Sequence, residues 1–448
     1  MDRMKIVIVG TNHAGIACAN TLLKQYNEHE VVLFDRNTNL SYLGCGTALV
    51  VGRQVQGFDG LFYERKETLE EKGARISLET TVTHVDFEQK IVYAKDINGN
   101  ELEESYDKLV LATGSKPIAP NLPGNDLDGI HYLKLYQEGK AVDVDLDRDD
   151  VQNVAVIGAG YIGVEIAEAA KRRGKNVRLF DAADTSLSNY YDKNFATKMD
   201  SVLQDNGIET HFEELATGYE GDENGRVRKV TTTKGEYEAD LVVNAIGFIP
   251  NNDLGKDHLE LFGNGAYLVD LHQQTSDPDV YAIGDCATLY SNASQQTEYI
   301  ALASNAVRSG LVAGHNLGGT AIKSRGVQGS NGISIFGYNM VSTGLSVKAA
   351  ERRGLEVEYT DYSDLQRPAF MEENDEVQIR IVYEKESRRI IGAQMASMHD
   401  MSMGIHMFSL AIDRQETIDE LALLDLFFLP HFNQPYNYVT LAALTADK

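Results

Sequence analysis

Two stretches of the chain carry the same pattern and decide the fold. The clearer one reads Val154-Ala-Val-Ile157, then Gly158-Ala-Gly160-Tyr-Ile-Gly163, helix-forming residues to Arg173, and Val177-Arg-Leu-Phe-Asp181. A short β-branched run, a glycine turn, a helix and a second strand make a βαβ unit. Glycines in such a turn let the phosphates of a dinucleotide approach backbone N–H groups at the helix N-terminus. The spacing therefore predicts a dinucleotide site in which Asp181 favours NADH over NADPH.

An imperfect copy of this unit opens the chain. It reads Ile6–Val9, Gly10-Thr-Asn12-His-Ala-Gly15, a helix-forming run and a strand that ends at Asp35. Asn12 stands where the second glycine is expected, so one alternative is a degenerate turn that binds nothing. Two glycines and the acidic strand end are kept, and Asn tolerates unusual backbone angles better than other non-glycine residues. We expect a second dinucleotide site, and two such sites indicate an enzyme that holds flavin and nicotinamide together.

The repeated unit predicts an α/β fold with two Rossmann-like domains rather than one large domain. From about Gly326 onward the pattern changes. Alternating stretches such as Val377–Tyr383, and an apolar helix around Met401–Ile412, are typical of a separate α+β domain.

Composition excludes several classes of function. The 448 residues include 41 Lys and Arg against 67 Asp and Glu, and the net charge of −26 argues against nucleic acid and anionic membranes. No apolar run reaches the roughly 18 residues of a membrane span, and the first apolar run is too short for a signal peptide. The three cysteines, Cys18, Cys45 and Cys286, form no C-x-x-C pair. We expect a cytoplasmic protein in a reducing compartment.

No metal site is expected. The acidic run Asp143–Asp150 resembles the opening of a calcium loop, but Arg148 stands where the loop needs glycine. We interpret the run as a solvated loop. His399 and His406 flank an apolar stretch without a cluster of cysteines or carboxylates, so they are interpreted as packing or interface residues.

One thiol has an unusual setting. Cys45 lies between two glycines in Ser41-Tyr-Leu-Gly-Cys45-Gly-Thr, where backbone donors and a helix N-terminus would stabilise a thiolate. The alternative is a buried structural cysteine, the commoner fate of a free thiol. With no second cysteine nearby, a redox role would cycle the thiol through sulfenic acid. His13, at the start of the first helix, is expected to stay neutral and to donate a hydrogen bond to a peroxide or sulfenyl oxygen; the alternative is a capping residue.

Several motifs together carry a resemblance to a known family. They are Gly10–Gly15, Ser41–Gly46, Ala112–Gly114, Gly158–Gly163 and Tyr281–Asp285. Over its whole length the chain resembles the single-cysteine branch of the pyridine nucleotide–disulfide reductases: NADH oxidases, NADH peroxidases and coenzyme A disulfide reductases. It looks most similar to the water-forming NADH oxidases of lactic acid bacteria. The coenzyme A enzymes resemble Cys-Gly-x-Pro-Tyr after the thiol, and this chain has Gly-Thr-Ala-Leu there, which disfavours that branch.

The resemblance implies a domain arrangement: an FAD-binding domain of residues 1–120 and 251–325, an NAD-binding domain of residues 121–250, and a dimerisation domain of residues 326–448. It implies a homodimer or tetramer in which Phe428 and His431 approach the partner's active site. Two NADH and one dioxygen would give two NAD⁺ and two water molecules through a C4a-peroxyflavin and a Cys45 thiol/sulfenate cycle. The alternatives are an NADH peroxidase and, in another class, a flavin electron carrier or NADH-sensing protein.

The resemblance also implies the site residues. Cys45 would be the redox thiol and His13 its catalytic neighbour. FAD would contact Gly10, Asn12, His13, Ala14, Gly15, Asp35, Arg36, Cys45, Val82, Thr113, Gly114, Lys134, Asp285, Leu302 and Ala303. NAD would contact Gly158, Gly160, Tyr161, Ile162, Gly163, Asp181, Tyr190, Gly247, Ala301 and Gly332.

Overall fold

The computed structural model describes residues 3–446. Its helices are α1 (His13–Gln25), α2 (Thr47–Val51), α3 (Lys66–Glu71), α4 (Tyr136–Asp147), α5 (Tyr161–Arg172), α6 (Lys193–Asp205), α7 (Ala303–Leu317), α8 (Val347–Glu351), α9 (Ile405–Arg414), α10 (Ile418–Ala422) and α11 (Tyr438–Leu444). Its strands in the first half are β1 (Lys5–Val9), β2 (Glu30–Phe34), β3 (Ala74–Ser77), β4 (Thr80–Asp86), β5 (Ile91–Asp96), β6 (Glu101–Ser105), β7 (Lys108–Leu111), β8 (Ser115–Pro117), β9 (Ile130–Tyr132), β10 (Asn153–Ile157), β11 (Asn176–Phe180) and β12 (Ile208–His211). The remaining strands are β13 (Ala216–Gly221), β14 (Val227–Thr232), β15 (Glu236–Glu238), β16 (Leu241–Asn244), β17 (Phe248–Pro250), β18 (Val280–Ala282), β19 (Leu289–Ser291), β20 (Gln296–Glu298), β21 (Asn331–Ile335), β22 (Tyr338–Gly344), β23 (Val357–Leu365), β24 (Glu376–Glu384) and β25 (Ile390–Ser397).

The N-terminal sheet is parallel and runs in the order β18-β7-β1-β2-β3. Its central strand is apolar on both faces, and Ile6, Val7 and Ile8 are fully buried, as expected for a parallel sheet covered on both sides. Strand β18 comes from residues 280–282, far along the chain from the other four strands. This sheet is therefore assembled from two separate stretches of sequence.

A second parallel sheet, β12-β11-β10-β16-β9, repeats the first. Strand β10 stands at its centre as β1 does in the first, flanked by β11 and β16 where β1 is flanked by β2 and β7. Each parallel sheet is also accompanied by a three-stranded antiparallel sheet, β4-β5-β6 in one half and β13-β14-β15 in the other. The duplicated βαβ pattern has produced two domains of the same design.

The C-terminal sheet differs in kind, because β21-β22-β25-β24-β23 is antiparallel throughout. Helix α9 packs on β22 and β25, while α11 packs on β23 and β24. Its core includes Ile379, Ile381, Met395, Phe408 and Ile412, all fully buried. The expected fold class, two Rossmann-like domains followed by an α+β domain, is confirmed.

The acidic run after Val142 was expected to be a solvated loop, and that expectation is wrong for most of it. Helix α4 continues to Asp147. Asp143 accepts hydrogen bonds from Arg53 at 2.6 Å and from Arg173 at 3.0 Å. Asp145 is buried and accepts from Arg226 at 3.1 Å. These partners stabilise buried or crowded carboxylates, and they come from distant parts of the sequence.

Within residues 3–446, no helix combines the length and apolar composition that crossing a membrane requires. The same residues hold no group of three or more His, Cys, Asp or Glu side chains arranged to bind a metal ion.

Candidate active site

A cavity of about 1170 Å³ brings the residues of both glycine turns together. Every residue of the expected FAD and NAD sets lines it except Gly15 and Gly163. Those two glycines lie one helical turn inside α1 and α5, where they pack against the turns themselves. The cavity is therefore one space that two nucleotide-binding turns share.

The first turn joins β1 to α1 through Gly10, whose φ of +111° suits glycine. A Cβ on Gly10 would lie 2.2 Å from the carbonyl oxygen of Ala112, so the neighbouring strand also requires glycine. Asp35, directly after β2, accepts hydrogen bonds from the N–H and the hydroxyl of Thr11, at 2.7 and 2.9 Å. The carboxylate fixes the turn that leads into the helix.

The second turn repeats this construction. Gly158 has a φ of +101°, and a Cβ there would lie 2.4 Å from the carbonyl oxygen of Ala245. Asp181 accepts from the N–H of Ala159 at 2.6 Å. A Cβ on Gly160, in contrast, would meet no protein atom within 4 Å, so the space over this helix N-terminus is open.

Asn12 stands at the position that Gly160 occupies in the second turn, and the backbone accommodates it for a different reason from the one expected. Its φ of −98° and ψ of −158° are extended angles that any residue adopts. Its side chain makes no capping hydrogen bond to α1. The tolerance of Asn for unusual backbone angles is therefore not needed at this position.

Both glycine turns, each with the helix N-terminus that follows it, fit the diphosphate of a dinucleotide. Each presents the N-terminus of a helix of at least 12 residues to the cavity, with N–H groups and the positive end of the dipole directed at the ligand. A carboxylate follows the second strand in each, at the place where ribose hydroxyls are bound in such folds. The residues present therefore suit FAD and NAD.

Lys134 and Asp285 form an ion pair on the wall of the cavity. Their Nζ and Oδ2 atoms are 3.1 Å apart, and the same oxygen accepts from the hydroxyl of Ser115 at 2.9 Å. The two residues are 151 positions apart in sequence and were both expected in the FAD set. They place a positive and a negative group on the wall of the cavity.

Cys45 occupies a short turn, Gly44–Gly46, before the five-residue helix α2. The thiol is accessible because it opens into the cavity, yet the walls of the cavity enclose it. This enclosure raises the pKa of the thiol, Glu165 raises it further, and Lys134 lowers it. The expected stabilisation of a thiolate is therefore not found, because burial raises the pKa of the thiol more than Lys134 lowers it. Cys18 and Cys286 are fully buried.

His13 is the first residue of α1 and lines the same cavity as Cys45. Burial lowers the pKa of its imidazole, with a smaller raising effect from Asp285, so the ring is neutral at neutral pH. Its Nδ1 lies 2.8 Å from the hydroxyl of Tyr63, and the two rings are parallel within 2° with centroids 5.5 Å apart. Sequence reasoning missed Tyr63, because nothing in its neighbourhood marks it.

Two side chains on α5, Tyr161 and Glu165, line the cavity near the second turn. The hydroxyl of Tyr161 lies 3.0 Å from that of Tyr191 and also donates to Asn331, while Tyr190 packs edge-on against the ring at 4.5 Å. Glu165 was not expected as a site residue, although helical spacing places it one turn after Tyr161. Burial, with a smaller contribution from Glu168, raises the pKa of Glu165 to about 7.

Two nucleotide-binding turns that share one cavity with a single thiol are typical of a nucleotide-dependent oxidoreductase. The chain belongs to the pyridine nucleotide-disulphide oxidoreductase family: the family profile matches residues 4–310, and the profile of the family's dimerisation domain matches residues 332–437. The resemblance inferred from the sequence motifs is confirmed.

Individual relatives cover nearly the whole chain. An NADH oxidase of Lactococcus lactis is 63% identical over 445 residues, which is 99% of this chain and 100% of that protein. An NADH oxidase of Streptococcus pyogenes is 52% identical, covering 99% of both chains. Among solved structures, the water-forming NADH oxidase from Lactobacillus brevis bound to NADH is 36% identical with a TM-score of 0.95, covering 98% of this chain and 97% of that one.

Proposed function

We propose that this chain is an FAD-dependent NADH oxidase that reduces dioxygen by four electrons to water. The observation that carries the proposal is the shared cavity, because it gives a hydride donor, a flavin and one thiol access to the same space. The NADH oxidases at 63% and 52% identity, and the water-forming relative, support the same activity.

We assign the residues to the two cofactors as the resemblance implied. In this proposal the turn at Gly10 and the residues of its half bind FAD, and the turn at Gly158 and the residues of its half bind NADH. Asp35 and Asp181 accept ribose hydroxyls, and a carboxylate at Asp181 repels the additional phosphate of NADPH. FAD, when bound, accepts a hydride from NADH and passes electrons on to dioxygen.

Cys45 removes the peroxide that two-electron reduction of dioxygen produces. Its sulfur attacks one peroxide oxygen, so that an S–O bond forms and the O–O bond breaks. The thiol is oxidised to sulfenic acid, and its proton joins the leaving oxygen to give the first water molecule. A second NADH supplies the two electrons that restore the thiol and release the second water molecule. His13 lines the same cavity and donates a hydrogen bond to the peroxide oxygen in this step.

The domain division inferred from the sequence is part of the proposal. The FAD-binding domain comprises residues 1–120 and 251–325, the NAD-binding domain residues 121–250 and the dimerisation domain residues 326–448. Pairing of β18 with β7 supports a discontinuous first domain. Membership of β9 in the second sheet supports a boundary near residue 121.

A second copy of the chain completes the assembly in this proposal. The segment from Leu423 to Tyr436 exposes large apolar side chains, among them Phe427 at 68% and Phe432 at 57%. An exposed apolar patch of this kind is typical of a protein interface. It includes Phe428 and His431, which would approach the partner's active site. The three cysteines, with no C-x-x-C pair, favour the reducing cytoplasm.

Oxygen-electrode stoichiometry tests the proposed activity. Purified holoenzyme is supplied with limiting NADH, and oxygen uptake is measured before and after catalase is added. We expect two NADH per dioxygen and no oxygen returned by catalase. An NADH peroxidase would use added hydrogen peroxide and hardly any dioxygen, while an electron carrier or sensor would turn over slowly with both. Either result would contradict the proposal.

A further inference from the structure

Tyr63 contacts His13 in a geometry that a packing residue does not need. The phenol oxygen lies 2.8 Å from Nδ1 of the imidazole, and the two rings are parallel within 2°. A neutral imidazole has one N–H and one bare nitrogen, and the partner of one nitrogen decides which nitrogen carries the proton. A hydroxyl that donates to Nδ1 leaves the ring proton on Nε2, whereas one that accepts from Nδ1 leaves Nε2 bare, so this contact is coupled to the tautomer of His13.

The segment that carries Tyr63 is tied to the segment that carries Cys45. Tyr42 and Phe62 form an isolated antiparallel bridge, and the N–H of Leu43 donates to Leu61 at 2.8 Å. The buried hydroxyl of Ser41 donates to the carbonyl oxygen of Glu64 at 2.9 Å and accepts from its N–H at 3.0 Å.

Ser41 also has a φ of +59°, a conformation uncommon for a non-glycine residue, and these contacts hold it there. The chain thus fixes where Tyr63 stands relative to the thiol.

His13 separates two spaces. It lines the large cavity that holds Cys45 and also a smaller groove of about 360 Å³ between α1 and α7. Tyr63 lines only the groove, together with Ile16, Asn20, Val307 and Leu311, and its side chain is half exposed. Of these two spaces Tyr63 borders only the groove, so it contacts His13 from the side away from the large cavity.

We propose that Tyr63 is a positioning residue for the reduction of peroxide at Cys45. Its hydroxyl donates to Nδ1 of His13, so the proton of the neutral ring resides on Nε2, and that N–H donates to the oxygen that leaves the peroxide. The sulfur–oxygen bond forms, the oxygen–oxygen bond breaks, and the thiol proton completes the water molecule. This inference rests on the proposed function, because it assigns a role within the step at Cys45.

Tyr63→Phe tests the hydroxyl while it keeps the ring stack. A positioning hydrogen bond contributes about 1 kcal/mol, which corresponds to about a fivefold loss in the rate of peroxide reduction. We expect hydrogen peroxide to escape from the variant, detected as oxygen returned on adding catalase, whereas the wild type returns none. The KM for NADH should be unchanged, because Tyr63 does not line the large cavity. Tyr290→Phe, which removes a hydroxyl from an exposed residue on β19, serves as the matched control and should leave the escape of peroxide unchanged.

A double-mutant cycle separates positioning from a merely structural effect. His13→Gln should increase the escape of peroxide, and adding Tyr63→Phe to His13→Gln should change nothing more, because the hydroxyl acts through the ring. Effects that multiply in the double variant would overturn the proposal, as would an escape of peroxide in Tyr63→Phe equal to that of the wild type.

Nitrogen NMR of histidine-labelled holoenzyme provides a readout that does not depend on turnover. In the wild type, Nδ1 of His13 should give the signal of a bare, hydrogen-bonded nitrogen, and Tyr63→Phe should shift that signal toward a mixture of tautomers. A protonated Nδ1 in the wild type would overturn the proposal. If the wild type releases all its reducing equivalents as hydrogen peroxide, the proposed function fails, and the NMR result still decides the contact of Tyr63 with His13.

Discussion

The carboxylates at the two glycine turns, Asp35 and Asp181, differ in the number of hydrogen bonds that they accept from the protein. Asp35 accepts four hydrogen bonds, from the N–H and side chain of Thr11 and from the N–H and side chain of Asn37. In residues 3–446, Asp181 accepts from two backbone N–H groups, those of Ala159 and Ala183. A carboxylate has about four acceptor positions, so Asp181 has two left for ribose hydroxyls, whereas Asp35 gains them only when the side chains of Thr11 and Asn37 turn away.

This difference suits two cofactors that behave differently. A nucleotide that enters and leaves in every turnover gains from a preformed acceptor, because no protein side chain has to move first. A cofactor that stays bound meets the cost of reorganising Thr11 and Asn37 once. Under the proposed assignment, the chain uses the same backbone turn for a resident group and for an exchanging one.

The largest effect should come from the third glycine of each turn. A Cβ at Gly15 would lie 1.9 Å from the carbonyl oxygen of Gly10, and one at Gly163 would lie 1.8 Å from that of Gly158. Gly15→Ala should yield protein without bound flavin, whereas Gly163→Ala should retain flavin and raise the KM for NADH about a hundredfold, as expected for overpacking of about 3 kcal/mol. Flavin absorbance and NADH titrations measure both, and loss of flavin from both variants would contradict the division between the turns.

Asp181→Ala should have the next largest effect. Losing a charged acceptor costs about 2 kcal/mol, so the KM for NADH should rise about thirtyfold. The KM for NADPH should change much less, because the repulsion of its phosphate is also removed. Steady-state kinetics with both nucleotides measure the ratio, and flavin content serves as the control. An unchanged preference for NADH would mean that Asp181 does not face the ribose.

A third test uses Glu165, which α5 carries where α1 carries Ala17. Burial raises the pKa of Glu165 from 4.5 to about 7, so the folded protein favours the protonated acid. The free energy of unfolding should therefore fall as the pH rises from about 5 to 7 and then level off. Glu165→Gln removes this dependence, and its stability relative to the wild type should be greater at pH 8 than at pH 5 by about 2 kcal/mol. Urea unfolding at both pH values checks this, and a difference of opposite sign would contradict the burial of the carboxyl.

The smallest effect should come from Asn12→Gly. Asn12 has extended backbone angles and makes no side-chain cap. The change should therefore alter the free energy of unfolding by no more than about 0.5 kcal/mol and leave the flavin content unchanged. The reciprocal variant Gly160→Asn should have a larger effect and weaken the binding of NADH, because its side chain would fill the open space over the N-terminus of α5. Thermal unfolding and nucleotide titration compare the two. Equal effects would mean that the two turns face their nucleotides alike.

Local features of this molecule could be predicted from the sequence. The two turns, their strands and the acids Asp35 and Asp181 depend on residues within about 25 positions of one another, and they form where the spacing predicted. The antiparallel last domain also follows from the alternating pattern around Val377–Tyr383.

Features set by distant partners could not be predicted. Asp143, on helix α4, pairs with Arg53 and Arg173, and neither arginine is near it in sequence. The contact of Tyr63 with His13 spans 50 residues. The raised pKa of Cys45 depends on the walls of a folded cavity, whereas the local sequence had indicated a stabilised thiolate.

The central claim concerns the thiol, and Cys45→Ser tests it most directly. Oxygen uptake and peroxide production are measured for the variant and the wild type under the same NADH supply. The account predicts that the ratio of NADH to dioxygen falls from two to one and that hydrogen peroxide accumulates in equal amount to the dioxygen consumed. A variant that still consumes two NADH per dioxygen and forms only water would contradict it.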